Sequence, residues 1–107
     1  MNVPEITVRE INAAREREER LQLLDVREEW ERNLVSINGS LFIPMDQLQL
    51  RIGELDKTEK TVVYCHTGVR SAAVTAYLLG QQFEDVSNMT GGIDAWAREV
   101  DPALPTY

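Results

Sequence analysis

The sequence predicts an α/β fold: a largely parallel sheet of about five strands with helices on both faces. Three observations carry this reading. Short apolar runs recur at Leu21–Val26, Ser40–Pro44, Thr61–Tyr64 and Asp85–Met89. Segments with helical caps or helical spacing lie between them. The runs are apolar rather than alternating, as expected of strands covered on both faces.

The elements follow in order. A short strand around Ile6 adds a fifth to the sheet. Thr7 and Glu10 have capping-box spacing, which predicts a helix from near Val8 through INAAREREE, with REREER as its solvated face. LQLLDV reads as a buried strand ending at Asp25, followed by a short polar helix around Glu28–Glu31. SLFIP is the next strand, stopped by Pro44. Asp46 can cap a helix whose apolar positions Leu48, Ile52 and Leu55 fall at i, i+4 and i+7. TVVY is a strand, and Ser71–Gly80 a helix that Gly80 can end. DVSNM is the last strand, and Ile93–Glu99 a short helix after Gly91-Gly92. Trp30 and Trp96 are expected in or near the core.

Composition narrows the function classes. A chain of 107 residues, 43% apolar and 27% charged, has the size and make-up of one soluble domain. No apolar run is long enough to span a membrane, and the N-terminal residues lack the apolar stretch of a secretory signal, so a cytoplasmic location is expected. The net charge of −7 argues against nucleic acid as a partner. It also repels anions, so attraction of any small anionic substrate must be local. One Cys and one His leave no internal disulfide and few metal ligands, and no cofactor is expected.

The lone cysteine, Cys65, ends an apolar strand and opens the segment CHTGVR. A lone Cys in that position is most simply a small buried hydrophobe. The residues after it point elsewhere. Gly68 permits a backbone conformation closed to other residues. Successive N–H groups across His66, Thr67, Gly68, Val69 and Arg70 can converge into an anion-binding nest. A helix beginning near Ser71 aims its positive end at the same point, and Arg70 adds a full charge. An ordinary thiol with pKa near 8.5 is only about 3% thiolate at pH 7, and a shift to about 7 requires roughly 2 kcal/mol. Helix end, loop amides and Arg70 together can supply that. Cys65 is therefore read as a nucleophile.

Two cysteine chemistries suit such a loop. Phosphatases that form a cysteinyl phosphate have C-x5-R before a helix, whereas Cys65 to Arg70 is C-x4-R. A phosphoryl group brings three oxygens and needs the wider cradle; the shorter loop fits a single terminal sulfur atom.

At this point the chain resembles the single-domain rhodanese, or thiosulfate sulfurtransferase, family over nearly its whole length, and residues 1–107 are read as one such domain. LLDVREEWE resembles the family's Asp-Val-Arg segment, INGSLFIPM its Ile-x-Gly-x-x-x-Ile-Pro stretch, VVYCHTGVRS the catalytic loop with its strand, and MTGGIDAW the Gly-Gly-x-x-x-Trp signature. One departure is Ser36, where many relatives have His. The tail AREVDPALPTY resembles rhodanese modules fused to enzymes that activate ubiquitin-like sulfur carriers.

The resemblance implies a sulfurtransferase working through a Cys65 persulfide, with the 66–70 loop as substrate-binding site. It implies a small anionic sulfur donor such as thiosulfate, or a cysteine desulfurase. The implied acceptor is a thiol, cyanide or a sulfur-carrier protein. His66 stands at the rim, without an implied Cys–His base pair. Asp25 is expected to pair with a basic group, Arg27 to meet Glu31, and Gly91-Gly92 to allow close backbone approach rather than bind phosphate. Two rivals stay open: a non-enzymatic sulfur or redox sensor or carrier docking on a partner, and a small cysteine phosphatase or arsenate reductase.

Overall fold

Parallel pairing of five apolar segments organises the computed structural model, which describes residues 2–107. The strands are β1 (Glu5–Ile6), β2 (Gln22–Asp25), β3 (Leu41–Phe42), β4 (Thr61–Tyr64) and β5 (Val86–Met89), in the spatial order β1-β5-β4-β2-β3. Every neighbouring pair is parallel. The helices are α1 (Val8–Glu16), α2 (Glu29–Leu34), α3 (Leu48–Arg51), α4 (Val69–Gly80) and α5 (Gly92–Glu99). Among the described residues no helix is long and apolar enough to cross a membrane.

Side-chain alternation along the strands splits the core in two. Leu23, Val62, Tyr64 and Met89 pack under Val8 and Ile11 of α1 and Ile93 and Trp96 of α5. Leu24, Val63, Cys65 and Val86 pack under Leu48 of α3 and Val74 and Leu78 of α4. The sheet is thus covered on both faces, which explains why its strands carry no polar alternation.

Register fixes the site. Leu24 lies opposite Val63 and Asp25 opposite Tyr64, so the carboxyl ends of β2 and β4 finish side by side. From β2 the chain moves outward to β3, and from β4 it moves the other way to β5. The crevice at such a reversal is where open α/β sheets gather functional residues.

Several elements differ from their sequence-based outlines. The Thr7–Glu10 capping box forms, but α1 stops at Glu16, because Glu18 turns left-handed at φ +58° and closes a Schellman-type end. The expected 46–55 helix is instead a 3₁₀ turn (Met45–Gln47), the single turn α3 and a second 3₁₀ turn (Ile52–Glu54). Asp46 caps nothing there, since Pro44 at φ −55° leads straight into the first 3₁₀ turn. Trp96 is buried as expected, but Trp30 is 56% exposed. On α2 the inward position belongs to Glu31, and Trp30, one residue earlier, is rotated out to bond Glu28 through its indole N–H at 2.9 Å.

Candidate active site

Cys65 follows β4 directly, and its side chain falls on the α4 face, two residues after Val63. The loop that leaves it must turn sharply into α4. Gly68 makes that turn as the N-cap residue at φ +106°, a conformation that L side chains rarely adopt. The helix therefore starts at Val69, two residues earlier than its apolar spacing suggests.

This turn directs hydrogen-bond donors at the sulfur. The Gly68 N–H lies 3.2 Å from Cys65 Sγ and the Ser71 N–H 3.4 Å from it. The Ser71 hydroxyl is 3.3 Å from Sγ and also within hydrogen-bond range of Asn88 Oδ1. That hydroxyl carries one proton. When Cys65 is a thiol, the S–H can donate to Ser71, whose hydroxyl then donates to Asn88 Oδ1; when Cys65 is a thiolate, the hydroxyl can turn and donate to sulfur. The residue is 1% exposed, so the sulfur sits on the floor of the loop. Burial pushes the thiol up, but the Ser71 hydroxyl, the Ser71 and Gly68 N–H groups and the Arg70 charge outweigh it. The net direction is below the ordinary thiol value.

The loop is also fastened from outside. Ile93 N–H donates to the Cys65 carbonyl at 3.0 Å and Asp94 N–H to the His66 carbonyl at 3.1 Å. This approach needs a glycine at 92: a Cβ there would lie 2.6 Å from the Cys65 carbonyl oxygen, and φ is +62°. The Gly-Gly pair thus serves close backbone packing, as its sequence context suggests. Asn88 Nδ2 holds the Gly68 carbonyl at 3.0 Å.

Arg70 does not point its guanidinium at Cys65 as a free charge. It grips Glu31 of α2 with two bonds, 2.6 and 2.8 Å, while its charge still acts on the thiol. Burial pushes the Glu31 carboxyl up, but Arg70, the Glu28 backbone and Tyr107 bring it down to about 2. Arg27 likewise grips Asp25 at 2.9 and 2.8 Å, both fully buried. Asp25 thus pairs with a basic group as expected. Arg27 does not meet Glu31: the Tyr107 hydroxyl stands between them, accepting from Arg27 at 2.9 Å and donating to Glu31 at 2.6 Å. Burial and Glu31 push that hydroxyl up to about 12 against the pull of Arg27, so it keeps its proton at neutral pH. The Tyr107 ring stacks on His66, with centroids 4.0 Å apart and planes 9° from parallel.

Of the sequence-predicted site residues, Cys65 and Gly68 meet at the sulfur, and Arg70 reaches it through its charge. His66 faces Tyr107, while Thr67 and Val69 are exposed on the loop's outer side. Ser71, Glu31, Asn88 and Tyr107 were not singled out for this site by sequence. Ser71 carried a signal, as the first residue after Arg70; the other three join the loop only through the fold. Beside the loop an open cleft of about 460 Å³ is lined by Arg27 and Arg70 together with Glu28, Glu29, Asp46 and Met45.

Comparison with known proteins identifies the family. The description "Rhodanese-like domain" matches residues 7–99. The probable adenylyltransferase/sulfurtransferase MoeZ of Mycobacterium tuberculosis is 36% identical over 95% of this chain, which spans only 26% of that protein's length. The putative sulfurtransferase YtwF of Bacillus subtilis is 35% identical over 95% of this chain and 98% of its own. A rhodanese-like domain protein from Staphylococcus aureus superposes with a TM-score of 0.84 at 31% identity, covering 97% of this chain and 98% of that one. The chain belongs to the rhodanese-like domain family.

Proposed function

We propose that the protein moves sulfane sulfur from a donor to an acceptor through a persulfide on Cys65. The observation that carries this reading is the convergence of the Gly68 N–H, the Ser71 N–H and the Ser71 hydroxyl on one sulfur at the start of α4. Donors so placed stabilise negative charge on sulfur before and after transfer, as an oxyanion hole does for oxygen.

In the first half-reaction the Cys65 thiolate attacks the outer sulfur of a donor such as thiosulfate. The new S–S bond forms on Cys65, the donor's S–S bond breaks, and its electron pair leaves with sulfite. In the second, cyanide or an acceptor thiolate, on a small molecule or on a sulfur-carrier protein, attacks the outer sulfur. The Cys65–sulfur bond breaks and the thiolate returns, completing a ping-pong cycle. Because the Cys65 sulfur lies on the loop's floor, the donor must present a single projecting atom, which favours sulfur over a phosphoryl group.

A protein donor, such as the persulfide of a cysteine desulfurase, is the preferred variant. Arg70, whose side chain reaches solvent, is already matched by Glu31, Arg27 is buried against Asp25, and Glu28, Glu29 and Asp46 add negative charge at the rim. That field disfavours a dianion. The likenesses to YtwF and MoeZ, both named as sulfurtransferases, support sulfur transfer. Steady-state turnover tests the reading: a desulfurase persulfide with a thiol acceptor is expected to give a higher kcat/KM than thiosulfate with cyanide, and p-nitrophenyl phosphate no turnover. Stoichiometric loading with no turnover on any acceptor would favour a sulfur carrier that works only on its partner. No sulfur loading from either donor would overturn sulfur transfer itself.

A further inference from the structure

We propose that Tyr107 is a positioning residue for the Cys65 loop, an inference that rests on Cys65 reacting as a thiolate. Three side-chain pins hold the loop: the His66 ring on Tyr107, the Gly68 carbonyl on Asn88, and the Arg70 guanidinium on Glu31. Tyr107 takes part in two of the three. Its ring covers one face of His66 at 4.0 Å, and its hydroxyl bonds the carboxylate that holds Arg70 at 2.6 Å. The hydroxyl has one proton to give and here also accepts, from Arg27 at 2.9 Å, so both of its hydrogen-bonding directions are used and the ring is set. Trp30 closes the outer side, edge-on at 5.9 Å.

The consequence falls on the sulfur. His66 and Arg70 bracket Gly68, whose N–H must stay near 3.2 Å from Sγ, and Arg70 precedes Ser71, which supplies the other two donors. A reactive group held by its neighbours loses function when that support loosens by tenths of an ångström. Tyr107 thus fixes, from 42 positions away along the chain, how well the loop stabilises the thiolate.

The test is the pH dependence of Cys65 alkylation by iodoacetamide, together with kcat/KM for sulfur transfer and Tm. Tyr107→Ala is expected to raise the alkylation pKa by about half a unit or more, toward the ordinary thiol value, and to lower kcat/KM about tenfold. Tyr107→Phe keeps the stack and loses the hydroxyl bonds, so it should fall between Tyr107→Ala and wild type. Leu104→Ala is the control. It removes an apolar contact made by the same segment with the core and should lower Tm without moving the pKa. A Tyr107→Ala profile that superposes on wild type, or a Leu104→Ala shift as large, would overturn the proposal. Alkylation needs no sulfur donor, so this outcome is separate from a failure of wild type to form a persulfide.

Discussion

Two arginine–carboxylate pairs stand within one network, and they do different jobs. Arg27 and Asp25 are two residues apart, and neither is accessible to solvent. Their pair closes the end of β2, with Arg27 also donating to the Val35 carbonyl at 2.6 Å. Arg70 and Glu31 are 39 residues apart, and the Arg70 side chain is 35% exposed. Their pair ties α2 to the first turn of α4, directly after the Cys65 loop. The first is local and dry; the second is long-range, half-open and one residue from Ser71. A guanidinium beside a cysteine thus need not be a substrate cation. Here one serves the fold and the other orients the loop while lending its field to the thiol.

Breaking the buried pair should produce the largest loss of stability. Arg27→Ala strands Asp25 with only Arg32 and Tyr64 as side-chain partners and removes the Val35 and Tyr107 bonds, for an expected cost of about 3–5 kcal/mol. Urea denaturation at pH 7 measures it, and a loss under about 1 kcal/mol would erase the contrast drawn between the pairs.

Glu31→Gln should cost less, and its cost should depend on pH. The folded carboxyl lies near 2, below its ordinary 4.5, so its contribution is complete above about pH 5 and fades as pH falls toward 2. The gap between wild type and Glu31→Gln should therefore shrink from about 3 kcal/mol at pH 7 to about 1 kcal/mol at pH 3. Denaturation at the two pH values gives the answer, and a constant gap would mean that the charge pair is not its source.

Ser71→Ala sharpens the comparison on the reactive side, with the smallest effect on stability. Removing one hydrogen bond to a charged or polar partner is worth about 1 kcal/mol. If it stabilises the thiolate, the alkylation profile moves up by roughly 0.7 unit, slowing the reaction up to about fivefold near neutral pH. Above the thiol pKa the rates should meet. Equal slowing at every pH would assign Ser71 to access rather than to the thiolate.

How much of this was legible in the sequence follows from how local each feature is. Thr61–Tyr64 read clearly as a strand because both of its faces are covered, which leaves an unbroken apolar run. The loop read clearly because Gly68, Arg70 and the helix start lie within seven residues of Cys65. The 46–55 segment misled because its i, i+4, i+7 spacing holds even when the backbone is cut into three short turns. Trp30 misled because a large aromatic is usually buried, whereas the inward place on α2 is taken by a carboxylate that answers Arg70. Tyr107 meets Glu31 across 76 residues, and no periodicity or cap marks such a partnership. Pairs of opposite charge can be guessed from sequence; which arginine takes which carboxylate is decided by the sheet's register.

Sulfur transfer requires Cys65 to take up one sulfur atom. Intact-protein mass spectrometry after incubation with thiosulfate, and separately with a desulfurase and cysteine, tests it most directly on wild type and Cys65→Ser. A gain of about 32 Da from at least one donor, removed by thiol or cyanide and absent from Cys65→Ser, is the predicted result. An unchanged wild-type mass with both donors, or the same gain in Cys65→Ser, would contradict it.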